Sequence, residues 1–192
     1  KATTFDPPDN LDYTSFTAAN TLTTSNAIKV GEFKIRDGGA TNDSDAVGTI
    51  LTDIDFGVTN FDNLAAIALF DGSTNVSEAT TVTATTSFIS INSGNGLTAP
   101  DDGSKTFDVY ATFQTLVTDN EQIELSVSSA TADAANGSVF SSTNAGGAST
   151  PIIGDDNRIE VAANSLAFNQ QPTNVGANNI MDPSPSVKAV DS

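Results

Sequence analysis

Ser104-Lys105-Thr106-Phe107-Asp108-Val109-Tyr110-Ala111-Thr112-Phe113 sets Phe107, Val109, Ala111 and Phe113 on one parity and Thr106, Asp108, Tyr110 and Thr112 on the other. Successive side chains of a strand point to opposite faces, so a period of two predicts a half-buried β-strand. The same signal recurs on both sides of this segment, between clusters of Asp, Asn, Gly and Ser that read as turns. Val30, Phe33 and Ile35 close a first strand. A second spans 49–58, with Ile50, Ile54, Phe56 and Val58 on one face and Thr52, Asp53 and Asp55 among its polar positions. Residues 64–70 read as a strand because Ile67 and Leu69 alternate and Asp71-Gly72 closes the run. Shorter candidates lie at 76–82 and 87–91. Residues 122–128 alternate Ile123, Leu125 and Val127 and are expected to pair with Ser104–Phe113 as a hairpin through the loop 115–121. After a polar stretch at 130–156, in which 130–147 is the one place for a short helix, 158–162 supplies one more strand.

Short strands without a sustained helical period predict an all-β chain, an antiparallel Ig-like β-sandwich of about 7–9 strands over residues 1–165. Phe33, Phe56, Phe70, Phe88, Phe107 and Phe113 are its expected core. Tyr110, opposite in phase to Phe107 and Phe113, is expected to point outward or to the other side of the sheet. Residues 166–192 read as linker and opening strands of a following Ig-like domain, starting at Leu166-Ala167-Phe168 and punctuated by Pro172, Pro183 and Pro185. Within them 187–190 alternates again, with no partner strand expected in this chain.

Composition narrows the function. The 192 residues carry 24 acids against 7 bases, a formal charge of −17. Nucleic acid, which demands a basic face, is excluded as a partner. Cys, His and Trp are absent, which removes thiol nucleophiles, Ser/His/Asp triads, disulfides and zinc sites built on imidazole or thiolate. No apolar run approaches the roughly 18 residues of a spanning helix, so no membrane insertion is expected. Catalysis would rest on carboxylate pairs such as Asp53 with Asp55 or Asp101 with Asp102, and no enzymatic activity is expected. Nineteen of the acids are Asp, a turn residue and a compact oxygen ligand. No signal peptide is visible at Lys1, so the chain reads as a piece of something longer.

Glu32-Phe33-Lys34-Ile35-Arg36-Asp37-Gly38-Gly39, the Asn42-Asp43-Ser44-Asp45-Ala46 loop, Ala68-Leu69-Phe70-Asp71-Gly72 and Asn157-Arg158-Ile159-Glu160-Val161 resemble modules repeated in very large surface proteins of Bacteroidota. The stretch from Gln170-Gln171-Pro172-Thr173 to Val187-Lys188-Ala189-Val190-Asp191 is similar to the start of the Ig-like repeats that commonly follow them. The resemblance implies an extracellular, cell-surface adhesin module of the type exported by type IX secretion, including gliding-motility adhesins. Its implied partners are neighbouring domains of the same long chain, surface polysaccharide or other cells. The expected function is a non-enzymatic structural or adhesive stalk or filament module. The alternative is a carbohydrate-binding module of a secreted multidomain protein that recognises polysaccharide through loop Asp and Asn groups and exposed aromatics, a reading that Tyr110→Ala would test.

The densest acidic loop is 37–45, where Asp37, Asn42, Asp43 and Asp45 fall within nine residues and Gly38-Gly39 permits a sharp backbone path. Calcium takes six to eight oxygen ligands, so such a loop could hold one. The spacing does not match an EF-hand, and Asp and Asn also cap turns without any ion. If each strand runs antiparallel to the one before, one end of the sandwich collects 37–45, Asp71, Asp101 with Asp102, and Asp155 with Asp156, while Asp62 and Asp119 go to the other. Asp101 and Asp102 are therefore further candidate calcium ligands.

Overall fold

The computed structural model describes residues 11–38, 44–89, 96–138, 158–159, 161, 163 and 165–190. The chain divides into two compact units, Lys1–Glu160 and Val161–Ser192. Among the described residues the structure is all-β, with antiparallel sheets, three single-turn 3-10 segments, and no helix long and apolar enough to cross a membrane.

Among the described residues the first unit holds seven strands: β1 Ile28–Arg36, β2 Leu51–Val58, β3 Leu64–Asp71, β4 Thr74–Ala79, β5 Thr85–Ile89, β6 Ser104–Phe113 and β7 Leu125–Ala132. One sheet runs in the order β1-β6-β3-β4 and the other β5-β2-β7. Phe107, Val109, Ala111 and Phe113 of β6 are all buried, as the alternation requires. Phe33 of the first sheet meets Phe56 of the second edge to face, with ring centroids 5.6 Å apart. Phe33 also stacks on Phe107 at 5.5 Å, and Phe56 meets Phe88 at 5.8 Å, so one aromatic string ties the two layers of the β-sandwich together. All six expected core phenylalanines are buried.

Two local features depart from simple alternation. Val30 and Gly31 are both buried because a register shift between Lys29 and Gly31 inserts a bulge into β1, which lets Val30 share the buried side with Phe33 and Ile35. In β3, Ala66 through Phe70 is a continuous buried run, the pattern of a strand covered on both faces. Ile67 and Leu69 take one parity, while Ala66, Ala68 and Phe70 of the other form a second buried cluster with Leu22 and Ala27. The segment 12–27 thus covers part of the outer face of the first sheet, held by Thr112 Oγ1 donating to Ala18 O at 2.6 Å and Phe113 N donating to Phe16 O at 2.8 Å.

Three sequence expectations are corrected. The segment beginning at Gln122 does not form a hairpin with β6: its strand, β7, pairs with β2 in the opposite sheet. Both sides of β6 are taken, by β1 and β3, so the 114–124 connection must carry the chain across to the other layer. Of the strand expected at 158–162, residues 160 and 162 lie outside the described residues, and Arg158 and Ile159 make isolated bridges to Gln122 and Leu11 in place of a regular ladder. Finally, 187–190 does have a partner. In the second unit β8, Ser165–Gln170, pairs antiparallel with β9, Ser186–Val190, setting Leu166 opposite Ala189 and Phe168 opposite Val187. The proline-containing connection returns the chain on itself instead of ending on a lone strand. The possible helix at 130–147 is a single 3-10 turn, Ala134–Asn136, as far as 138; the rest lies outside the described residues.

On the outer face of the first sheet, Glu32 of β1 stands directly opposite Asp108 of β6. Lys29 Nζ bridges them, at 2.8 Å from Glu32 and 2.7 Å from Asp108. Partial burial by itself would lower the Lys29 pKa, but hydrogen bonds to Asp108 and Glu32 and their charges hold it above its ordinary value. Lys29→Met is expected to cost about 1–2 kcal/mol, because it leaves two like charges facing each other across the ladder. The pKa is raised in the folded state, so this contribution is fully present below about pH 10 and fades as pH rises through the folded value. Urea unfolding of both proteins at neutral and strongly alkaline pH checks both the size and the sign.

Candidate metal centre

β1 and β6 are antiparallel, and Arg36 pairs with Ser104, so the end of one and the start of the other lie at the same pole of the sandwich. This brings Asp37, immediately after β1, to the Asp101-Asp102 turn before β6. Asp37 N donates to Gly103 O at 2.9 Å, and Gly103 N closes the turn onto Pro100 O at 2.9 Å. Asp102 takes the left-handed region at φ 54°, which Asp tolerates better than most residues. Gly38, at φ 70°, turns the chain away from β1.

A third segment completes the pole. Thr49 O accepts from Ala99 N at 2.9 Å, and Gly48 lies so close to the turn that a Cβ there would sit 2.2 Å from Ala99 O. Only glycine allows that approach. It sets Thr49 Oγ1 to donate to Asp37 Oδ1 at 2.7 Å, while Asp102 N donates to Asp37 Oδ2 at 2.9 Å. Asp37 is therefore a buried, oriented carboxylate, 4 % exposed. Asp101 and Asp102 are exposed. One carboxylate oxygen from each of Asp37, Asp101 and Asp102 lies within 4.8 Å of the other two.

Three carboxylates at this spacing repel one another, and a cation among them reverses the sign of the interaction. The donors are hard oxygens, suited to calcium, magnesium or manganese and not to thiophilic metals. The group could hold a metal ion, with carbonyl and water oxygens completing a shell of six to eight for calcium.

Of the six residues expected from sequence as ligands, Asp37, Asp101 and Asp102 come together. Asp45 stands outside this group, and its Oδ1 accepts from Val47 N at 2.8 Å. Asn42 and Asp43 lie outside the described residues, as do Asp155 and Asp156. Asp71 reaches the same pole, since Phe70 pairs with Asp108 toward the start of β6, but its carboxylate pairs with Lys105. Sequence reasoning did not find Thr49 and Gly48, which orient Asp37; a Gly-Thr pair before a strand carries no distinctive signal.

The other nominal pair, Asp53 and Asp55, lies on β2, with Asp55 between Ser87 and Ser129 and Asp53 between Ile89 and Thr131. Hydrogen bonds from Ser129 and then Ser87 hold the Asp55 carboxyl below its usual range, while partial burial and then the Asp55 charge push Asp53 up. Tyr110 packs on Phe70, with ring centroids 4.8 Å apart, and against the Leu22–Ala27 cluster. It covers a sheet face and offers no open platform for a sugar ring. A cavity of about 370 Å³ near the acidic pole is lined by Ile50, Asp71, Thr74, Val76, Gly96, Thr98 and Lys105, and by none of the three clustered aspartates.

Comparison with protein-family models, with curated proteins and with solved structures finds no match.

Proposed function

We propose that the chain is a non-enzymatic structural and adhesive module of a large bacterial surface protein, stabilised by calcium at its acidic pole. The observation that carries the calcium part is the convergence of Asp37, Asp101 and Asp102 from two separate strand ends, one of them buried and oriented. An ion bound there favours the folded state by mass action and joins the turn before β6 to the end of β1. The module part is supported by the all-β fold, the acidity of the chain and the resemblance of its motifs to Bacteroidota adhesin repeats. Type IX export, contact with neighbouring domains, and binding to polysaccharide or other cells belong to the same reading. Antibody raised against the chain is expected to label intact cells of the source organism as strongly as lysed ones. Labelling confined to lysed cells would remove the surface role and leave the calcium question untouched.

A further inference from the structure

The geometry points to a shear clamp at the two ends of the first unit, which makes the sandwich resist force applied along the chain. Leu11 forms a parallel bridge with Ile159, and Leu11 N donates to Arg158 O at 2.6 Å. Both side chains are core residues, Leu11 at 1 % and Ile159 at 0 % exposure. The outgoing segment is bonded on its other side as well: Ile159 N donates to Glu121 O at 3.0 Å, Asn120 N to Ile159 O at 2.9 Å, and Arg158 Nη1 to Asn120 O at 2.9 Å. Asn60 Nδ2, donating to Gln122 O at 2.8 Å, ties that neighbour to the turn that precedes β3.

Direction decides the mechanics. In a parallel pair, tension applied on the N-terminal side of Leu11 and on the C-terminal side of Ile159 acts along one axis in opposite senses. Tension between the two ends therefore slides the segments past each other and loads the Leu11 N–Arg158 O bond and the two buried side chains in shear, while the bonds from Arg158 and Ile159 to 120–121 hold the outgoing segment in place. An antiparallel pair of terminal segments would instead be peeled one bond at a time. The residues between 12 and 158 are shielded until the clamp yields, because Leu11 and Ile159 pass the load directly to each other. This inference needs neither the cation nor the adhesin reading, although a surface module under tension would use it.

The chain contains no cysteine, so thiol handles can be placed at will. Pulling the full chain by cysteines at its two ends is expected to unfold the first unit in one event, releasing on the order of 500 Å of contour length. The force should be at least about twofold that needed when the handles are Asp62→Cys and Thr80→Cys, which unzip β4 from β3 and bypass the clamp. Leu11→Pro, which deletes the donor to Arg158, should abolish that excess, whereas the core variant Phe88→Leu should largely keep it. Equal forces in the two geometries would overturn the clamp, and that comparison holds even if Leu11→Pro does not fold. An effect of Leu11→Pro no larger than that of Phe88→Leu would also overturn it.

Discussion

Phe56→Ala is expected to destabilise the sandwich by about 3–5 kcal/mol, a loss that lowers the melting temperature by on the order of 10 °C for a unit of this size. Phe56 is 2 % exposed and stands at the centre of the aromatic string, edge to face with Phe33 on one side and Phe88 on the other. Truncation removes the transfer energy of the ring, leaves a cavity between the two layers, and ends both aromatic contacts. The neighbours sit on paired strands and cannot collapse far into the gap. Phe168 provides the comparison within the same chain: it is 51 % exposed in the second unit, and Phe168→Ala is expected to change stability by about 0.5 kcal/mol or less. Chemical unfolding of the two variants checks the contrast, and a Phe56→Ala loss as small as that of Phe168→Ala would mean the layers are not packed through this ring.

Glu78→Ala is expected to cost about 2–3 kcal/mol through an unrelated cause, the loss of an internal anchor. Glu78, on β4, accepts from Thr21 N at 2.7 Å, Leu22 N at 2.8 Å and Asn75 Nδ2 at 2.8 Å. Two successive backbone N–H groups aimed at one carboxylate form an anion-holding nest. The arrangement requires Thr21 at φ 57°, a costly conformation for a β-branched residue that the carboxylate offsets. Without Glu78, the backbone donors at Thr21 and Leu22 lose their partner and the strain at Thr21 is no longer compensated. The 12–27 segment should loosen over Ala66, Ala68 and Phe70, and Tyr110 beneath it should become accessible to an aqueous quencher. The chain lacks Trp, and its other tyrosine, Tyr13, lies in the 12–27 segment itself, so Tyr emission read in a Tyr13→Phe background reports Tyr110. Glu78→Gln, which keeps one acceptor oxygen, should retain part of the stability. Unchanged quenching in Glu78→Ala would show that the segment is held by its apolar contacts alone.

These two residues mark the boundary of what the sequence makes legible. Phe56 is readable because β2 alternates buried and partly exposed positions from Ile54 to Val58, and a period of two records that. The cover over β3 is not readable, since the 12–27 segment is irregular and its anchor is 56–57 residues away. The run Ala66 to Phe70 signals a strand buried on both faces, but not which segment lies above it. Pairing partners are likewise absent from local pattern. The hairpin expected between β6 and the segment after it fails because β6 lies inside its sheet with both edges occupied, a fact that only the whole topology supplies. The candidate site was partly readable for a geometric reason. Strands that alternate in direction deliver the end of β1 and the start of β6 to one pole, which brings Asp37 to Asp101 and Asp102 across more than sixty residues. The roles of Gly48 and Thr49 depend on a close backbone approach that leaves no compositional trace.

The central claim is that a divalent cation joins Asp37, Asp101 and Asp102, and a thermal melt of the full chain in calcium and in excess chelator tests it most directly. At calcium a hundredfold above its dissociation constant the ion contributes about 2.7 kcal/mol, which corresponds to a shift on the order of 5–10 °C. The expected result is that chelation lowers the melting temperature by this amount in the parent chain and in Asp45→Ala, while Asp101→Asn/Asp102→Asn melts at the same temperature in both conditions. A melt that does not respond to calcium, or a response that survives in the Asp101→Asn/Asp102→Asn chain, would contradict the claim and return the three carboxylates to the role of hydrogen-bonded turns.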